Sequence, residues 1–332
     1  MKKTIIPFIV LLISISCEKS DPDFNAVADD KLIYPDVELS PSIWQRLDSL
    51  TESTINDLSF CNENTGIING FNGTIYLTKD GGTNWKTIST NANMTFLSVF
   101  AIDESSFLTG RIGLYKSIDY GSTWTKCKLS SDFTIFDIWF KNSHEGFFTC
   151  GGGTFRSTDA GESWTKISND VAKDIQFTSS DIGYFSSSYS SVSKSNTGLS
   201  SSDGDIYRTT NGGKTWRKME LNTGGINNIS FVSDKIGFFS TADDHIYKTT
   251  DGAESCTIIG NTDFHIYDLF FVNENQGIIC TNMGIMITLD GGNTFTIEFE
   301  NSDNRMIFKF DFPNPHIGYA VGNGGLLIKR IQ

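Results

Sequence analysis

One eight-residue pattern recurs six times along the chain, and its spacing constrains the fold more than any bulk property does. In register the copies are TKDGGTNW (78–85), SIDYGSTW (117–124), STDAGESW (157–164), TTNGGKTW (209–216), TTDGAESC (249–256) and TLDGGNTF (288–295). The acidic or amide position falls at Asp80, Asp119, Asp159, Asn211, Asp251 and Asp290, at intervals of 39, 40, 52, 40 and 39 residues. A period near forty residues marks a repeat in which each unit is one supersecondary module, stable only against its neighbours.

Residues 95–129 show what that module is. TFLSVFAI, SSFLTGR, GLYKSI and TWTKCKL read as four short strands, separated by tight turns that contain Gly or Asp. An α-solenoid of similar period would need amphipathic helices, and segments this rich in Thr, Ile, Phe and Tyr do not supply them. Four antiparallel strands per forty residues predict a propeller blade. The 26 Phe residues suit such sheets, because aromatic side chains pack well on a pleated surface.

The repeated motif lies between the third and fourth strands, and its chemistry reads as local. An Asp in a turn accepts backbone N–H groups two residues on, replacing ladder bonds that the turn cannot make. Gly82, Gly121, Gly161, Gly213 and Gly292, two positions later, permit positive φ. These Asp residues are therefore expected to be turn staples rather than acids or metal ligands. Trp85, Trp124, Trp164 and Trp216 open the fourth strands and are expected to wedge between blades as buried side chains; Cys256 and Phe295 hold the same position.

Forty-one residues before Trp85 stands Trp44, in PSIWQRLDSL, a fourth strand without its first three. At the other end IFKFDF, GYAVG and GLLIKRI supply three strands and no fourth. Joining the two ends closes the ring with one composite blade and removes exposed sheet edges. The expectation is an all-β, seven-bladed β-propeller over residues 41–332, closed by the N-terminal strand.

The shared pattern G-[IF]-x-x-G…G-x-[IL]-[YF]-x-[ST]-x-D-x-G-x-[ST]-W resembles the bacterial neuraminidase, or Asp-box, repeat. With strand pairs such as GIINGFNGTIYLTKDGGTNW (66–85), the chain looks most like the photosystem II stability and assembly factor family of seven-bladed propellers. That resemblance implies a non-catalytic assembly or protein-interaction role. It is specific for the fold and weaker for function, because Asp-box propellers also include sialidases, xyloglucanases and sorting receptors. The photosystem relatives use a basic surface patch, whereas this chain has only seven Arg in an acidic background.

The chain carries 26 basic and 39 acidic residues, a formal charge of -13. Such a balance argues against nucleic acid as a partner. Lys2 and Lys3 precede an apolar run from Ile5 to Ile13, too short for a stable span, followed by Ser14-Ile15-Ser16-Cys17. Residues 1–16 resemble a lipoprotein signal peptide, with Cys17 the lipidated residue and 17–40 an acidic tether. Membrane contact would then run through the lipid anchor alone, with the protein exported to the bacterial outer membrane. Cys61, Cys127, Cys150, Cys256 and Cys280 are expected to be reduced and mostly buried, with Cys150 and Cys280 at matching strand positions.

An enzyme reading finds little support. A sialidase needs an arginine cluster, a Tyr nucleophile and a paired Glu; the Tyr residues here (Tyr115, Tyr207, Tyr247) fall in packing slots of the third strands. His144, His245, His265 and His316 have no metal-ligand spacing. No cofactor, metal site or catalytic residue is expected. The long interval reflects a Ser-rich insertion at 186–203 in the fourth blade, between its second and third strands. The connections on that face are the expected partner surface, with candidates Arg111, Phe133, Tyr189, Asp243, Asp244, His245, Asp263, His265 and Arg305. The occupant would be a protein partner or a surface glycan. A glycan reading requires exposed aromatics on this face, and a glycoside hydrolase reading requires two carboxylates about 5–10 Å apart in the central pocket.

Overall fold

The computed structural model describes residues 39, 42–70, 73–90, 95–170, 172–188, 204–261, 264–300, 305–314 and 316–331. The signal and tether readings, Cys17, Tyr189, Asp263 and residues 189–203 of the insertion lie outside them. The described chain forms seven four-stranded antiparallel sheets. Six use four consecutive strands each. The seventh pairs Ile43–Arg46 with Leu327–Ile331, behind Ile317–Gly322 and Ile307–Asn314. Numbering the blades from Ile55, the first strand of each touches the first strands of its two neighbours, and blade 7 returns to blade 1. This is a closed seven-bladed propeller.

Trp44 closes the ring as the spacing predicts. It is 5% exposed and packs on Phe310 and Phe312 of blade 7 and on the apolar side of blade 6. Blade 7 has no Asp motif, so the indole N–H of Trp44 donates to Glu298 of blade 6 (2.8 Å) rather than to a turn carbonyl. Ser42 also donates to Glu298 (2.7 Å), and the fully buried Arg330 lies 3.4 Å from it. Both ends of the chain are thereby fastened to blade 6.

In the regular blades the tryptophans lean on the preceding blade: Trp85 on Tyr319, Trp124 on Ile67 and Ile88, Trp164 on Leu108, and Trp216 on Phe147. They are half-buried rather than buried; the indole N–H of Trp85, Trp124 and Trp164 turns back to the glycine carbonyl of its own motif, as Trp85 does to Gly82 (3.1 Å). Between the first and second strands a Phe folds over a Gly. A Cβ at Gly66 would stand 2.3 Å from the Phe60 ring, which requires glycine there.

Two expectations are corrected. The motif Asp accepts the N–H four residues on, not two: Asn84 donates to Asp80 (2.8 Å) and Ser163 to Asp159 (2.9 Å). The glycine N–H two residues on goes instead to the hydroxyl before the Asp, Gly82 donating to Thr78 (2.9 Å), since two successive positive-φ residues turn it inward. Cys150 and Cys280 do not match: Cys150 is the fifth residue of its strand and Cys280 the fourth, so a period of two puts them on opposite faces. Of the five described cysteines, Cys61, Cys150 and Cys280 are buried and Cys127 and Cys256 are half-buried, and no two of them are joined in a disulfide.

Candidate functional site

Antiparallel order fixes two faces. The Asp motifs share one face with the turns between first and second strands; the links between blades share the other with the turns between second and third strands.

On the Asp-motif face every copy has the same internal partners. The Asp119 carboxylate takes the N–H and hydroxyl of Thr123 and the hydroxyl of Ser117, and these bonds hold it below the usual carboxylate range. Ser163 does the same for Asp159, which falls to about 2. Asn211 replaces the carboxylate without loss of the turn, accepting from Thr215 (3.0 Å) and donating to it (2.8 Å). Exchange of charge for amide at a conserved geometry fits a staple, and among the described residues no metal-binding group of three His, Cys, Asp or Glu forms.

The opposite face gathers the nominated residues into two groups. In blade 5 the turn after Gly237–Thr241 places Asp244 at positive φ (62°), a conformation that Asp tolerates better than most residues. Its carboxylate reaches the link into blade 6, accepting from the Ile266 N–H (3.4 Å) and lying 2.8 Å from His265 Nδ1. Asp243 Oδ2 lies 3.2 Å from His245 Nδ1. The Thr241 hydroxyl holds the Asp243 carboxyl below its ordinary range, with His245 adding to the effect.

The strip continues where sequence reasoning named nothing. His265 meets the edge of Tyr267 (ring centres 4.8 Å), Tyr267 meets Phe308 (6.0 Å), and the Tyr267 hydroxyl reaches Met306 Sδ (3.2 Å). Met306 and Met283 are 40% and 52% exposed. Arg305 ends the strip, its guanidinium donating to the Gly324 carbonyl (3.1 Å). Across the ring, Arg111 and Phe133 form the second group: Ile112 bridges Thr134, and the Gly113 N–H donates to the Phe133 carbonyl (3.0 Å). Phe133 is half-buried against Phe155 and Gly152, which makes it a packing residue.

The central channel holds a feature that the sequence reading missed. Equivalent register positions on the seven innermost strands hold Asp57, Ser98, Asp137, Asp174, Asn228, Asp268 and Lys309, and five of them line a cavity of about 220 Å³. Most of this ring has a structural explanation. An innermost strand presents unpaired N–H groups to the channel, and the preceding blade caps them. Asp57 accepts Val99 (2.9 Å), Asp174 accepts Ile229 (3.0 Å) and Asp268 accepts Phe310 (3.0 Å). Two residues further along, Ser59 accepts Ala101 (3.1 Å), Gln176 accepts Phe231 (2.7 Å), Ser230 accepts Phe271 (2.9 Å) and Asp311 accepts Phe60. Burial pushes Asp57 up to about 6 against the pull of Lys309, and raises Asp268 as well. Asp268 and the other carboxylates drive Lys309 well above the ordinary lysine range. Aligning the innermost strands by position would have revealed the ring, since Lys309 is its one basic member.

Comparison with known proteins places this geometry. Residues 37–134 match the family described as Photosynthesis system II assembly factor YCF48, so the chain resembles that family there. A structure described as YCF48 bound to D1 peptide is 19% identical, with a TM-score of 0.70 over 90% of this chain and 99% of its own. YCF48 from Cyanidioschyzon merolae is 15% identical, with a TM-score of 0.69 over 87% and 99%. The GH74 xyloglucanase from Xanthomonas campestris is 11% identical, with a TM-score of 0.66 over 87% of this chain and 53% of the enzyme. At these identities the likeness is one of fold. No curated protein matches the chain.

Proposed function

We propose that this protein is an exported, lipid-anchored propeller that acts as a non-catalytic scaffold, holding a protein partner on the face opposite the Asp motifs. The observation that carries this reading is the strip from Asp243 to Arg305. It combines two His–Asp pairs, exposed methionines, aromatic rings and one guanidinium across three blades. Mixed apolar and polar surfaces of this kind suit peptide recognition better than turnover. The match of residues 37–134 to an assembly-factor family and the peptide-bound state of a structure with the same fold support the same reading.

A glycoside hydrolase reading draws on the xyloglucanase likeness and on the carboxyl groups in the channel. Against it, Asp57 and Asp268 each have both carboxylate oxygens engaged by backbone N–H groups. A glycan-binding reading draws on Phe136, Tyr267 and Phe308, which stand at the second position of their innermost strands, toward the inter-blade links.

Crosslinking the intact protein in its native envelope tests the scaffold. Defined protein crosslinks should be lost in His245→Ala/His265→Ala and kept in Asp119→Ala. Recovery of polysaccharide instead of protein would replace the scaffold with a glycan reading. The anchor has its own test: Cys17→Ser should move the protein from the membrane fraction to the soluble one, and continued membrane retention would refute lipidation at that residue.

A further inference from the structure

The capping pattern of the channel fails in one sector, and the residues there are suited to a ligand. Between blades 1 and 2, and from blade 4 round to blade 1, side chains of one blade cap backbone N–H groups of the next. From blade 2 to blade 4 the capping positions are held by Phe100 and Trp139, which cannot accept, and by Ser98 and Asp137. Among the described residues no blade 4 N–H donates to Asp137. The Ser98 side chain, 1% exposed, is turned to Asp57 of the neighbouring blade and lies outside the cavity lining. Phe100, Trp139 and Asp137 line the cavity together with Lys309, Asp57, Asp174 and Asp268. No carboxylate of the ring lies within ion-pair distance of Lys309 among the described residues, so its ammonium is held by the field of the ring and leaves open volume between them.

We propose that this sector of the channel binds a primary ammonium group, with Asp137 as its counter-ion and the Phe100 and Trp139 side chains in its walls. A channel cavity lined by aromatic and carboxylate side chains favours a cation, through attraction to the ring quadrupoles and to the charges. The cavity already stabilises one ammonium, that of Lys309, and with four carboxyl groups around a single lysine it can supply a further negative charge when a second cation arrives. The donors do not form a metal cluster, and about 220 Å³ exceeds what a bare ion needs. The source is either a free amine or the tip of a lysine side chain. The site is independent of what the outer strip binds.

A proton linkage supports the assignment. Burial pushes the Asp137 carboxyl up to about 8; Lys309 pulls it down, while Asp174 and Asp57 push it further up. Without a ligand it therefore holds a proton at neutral pH. An arriving ammonium stabilises the carboxylate, so the proton leaves to solvent and binding tightens as pH rises from about 6 to about 8.

The test is calorimetric and fluorescence titration of the full chain with butylammonium, and with the peptide acetyl-Gly-Gly-Lys-Gly-Gly-amide. Butanoate and sodium chloride at equal ionic strength serve as controls. Saturable binding of butylammonium is expected, with a change in Trp139 emission and net proton release near neutral pH. Binding of the peptide as well assigns the site to a lysine side chain, and binding of butylammonium alone assigns it to free amines. Asp137→Asn should weaken binding at least tenfold while raising the Tm of the free protein, because a neutral isostere need not take up a proton on folding. The proposal is overturned if butylammonium shows no saturable binding, if butanoate binds equally, or if Asp137→Asn binds within twofold of the parent.

Discussion

The two faces of this ring solve the same problem in opposite ways. On the Asp-motif face six turns repeat one solution, in which carboxylate, hydroxyl and glycine amide satisfy one another inside eight residues. On the other face each turn differs: Asp244 bonds across to the next blade, His265 leans on Tyr267, and Arg305 folds over Gly324. A turn whose own side chains close it can be copied from blade to blade. A turn that bonds across a junction is particular to that junction, and such particularity is where recognition can arise. Repetition here reports folding, and departure from it reports function.

The comparison can be broken most severely at the seam. Trp44→Ala should cost about 3–5 kcal/mol, the usual range for emptying a large aromatic site, and Trp124→Ala somewhat less because that ring is half-buried. A silent Trp44→Ala in urea melts would mean that closure does not depend on both ends. Next in size, Asp268→Ala removes the acceptor for Phe310 and Leu269 and should cost about 1–3 kcal/mol, measured in the same way.

The faces and the channel also separate by pH. The Asp motifs have lowered carboxyl values, so their contribution is present above about pH 4 and is lost as pH falls through the folded value, about 2 for Asp159. Asp57 and Asp137 have raised values, so theirs is complete below the unfolded carboxyl value and fades as pH climbs through about 6 and about 8. Stability should peak in mild acid and decline toward pH 8, and Asp137→Asn should flatten the decline. A parent curve that rises from pH 5 to 8 would contradict the channel electrostatics.

Smaller again, Ser157→Ala removes the hydroxyl that holds both Gly161 and Asp159 (2.8 and 2.7 Å) and should cost about 1 kcal/mol. The smallest effect belongs to the other face: His245→Ala and His265→Ala should each change stability by less than about 0.5 kcal/mol, yet alter partner crosslinks. If they destabilised the ring as Ser157→Ala does, the strip would be part of the scaffold rather than a surface for a partner.

Legibility followed the same division. The blades, their strand order and the closure by Trp44 could be read because a repeated motif counts units, and because the leftover strands at the two ends complement each other. The range of the motif bonds was misread, since two left-handed residues in succession move the accepted N–H from two to four residues on. The pairing of Asp244 with His265 was not legible: twenty-one residues separate them, and only the packing of blade 5 on blade 6 joins them. The channel ring was legible in principle, as Asp57, Asp137, Asp174 and Asp268 occupy equivalent positions. Ser98, Asn228 and Lys309 break the run of carboxylates at that position, so no repeated spelling marks it.

The seam at blade 6 also sets a direction. Leu39 is buried against that blade, and its N–H donates to Gln276 in the turn between the first and second strands, on the Asp-motif face. A chain anchored at Cys17 would meet the ring from that side after 22 residues, a reach of at most about 75 Å. The six stapled turns would then look down on the lipid, and the variable strip would be held outward, away from the surface that carries it.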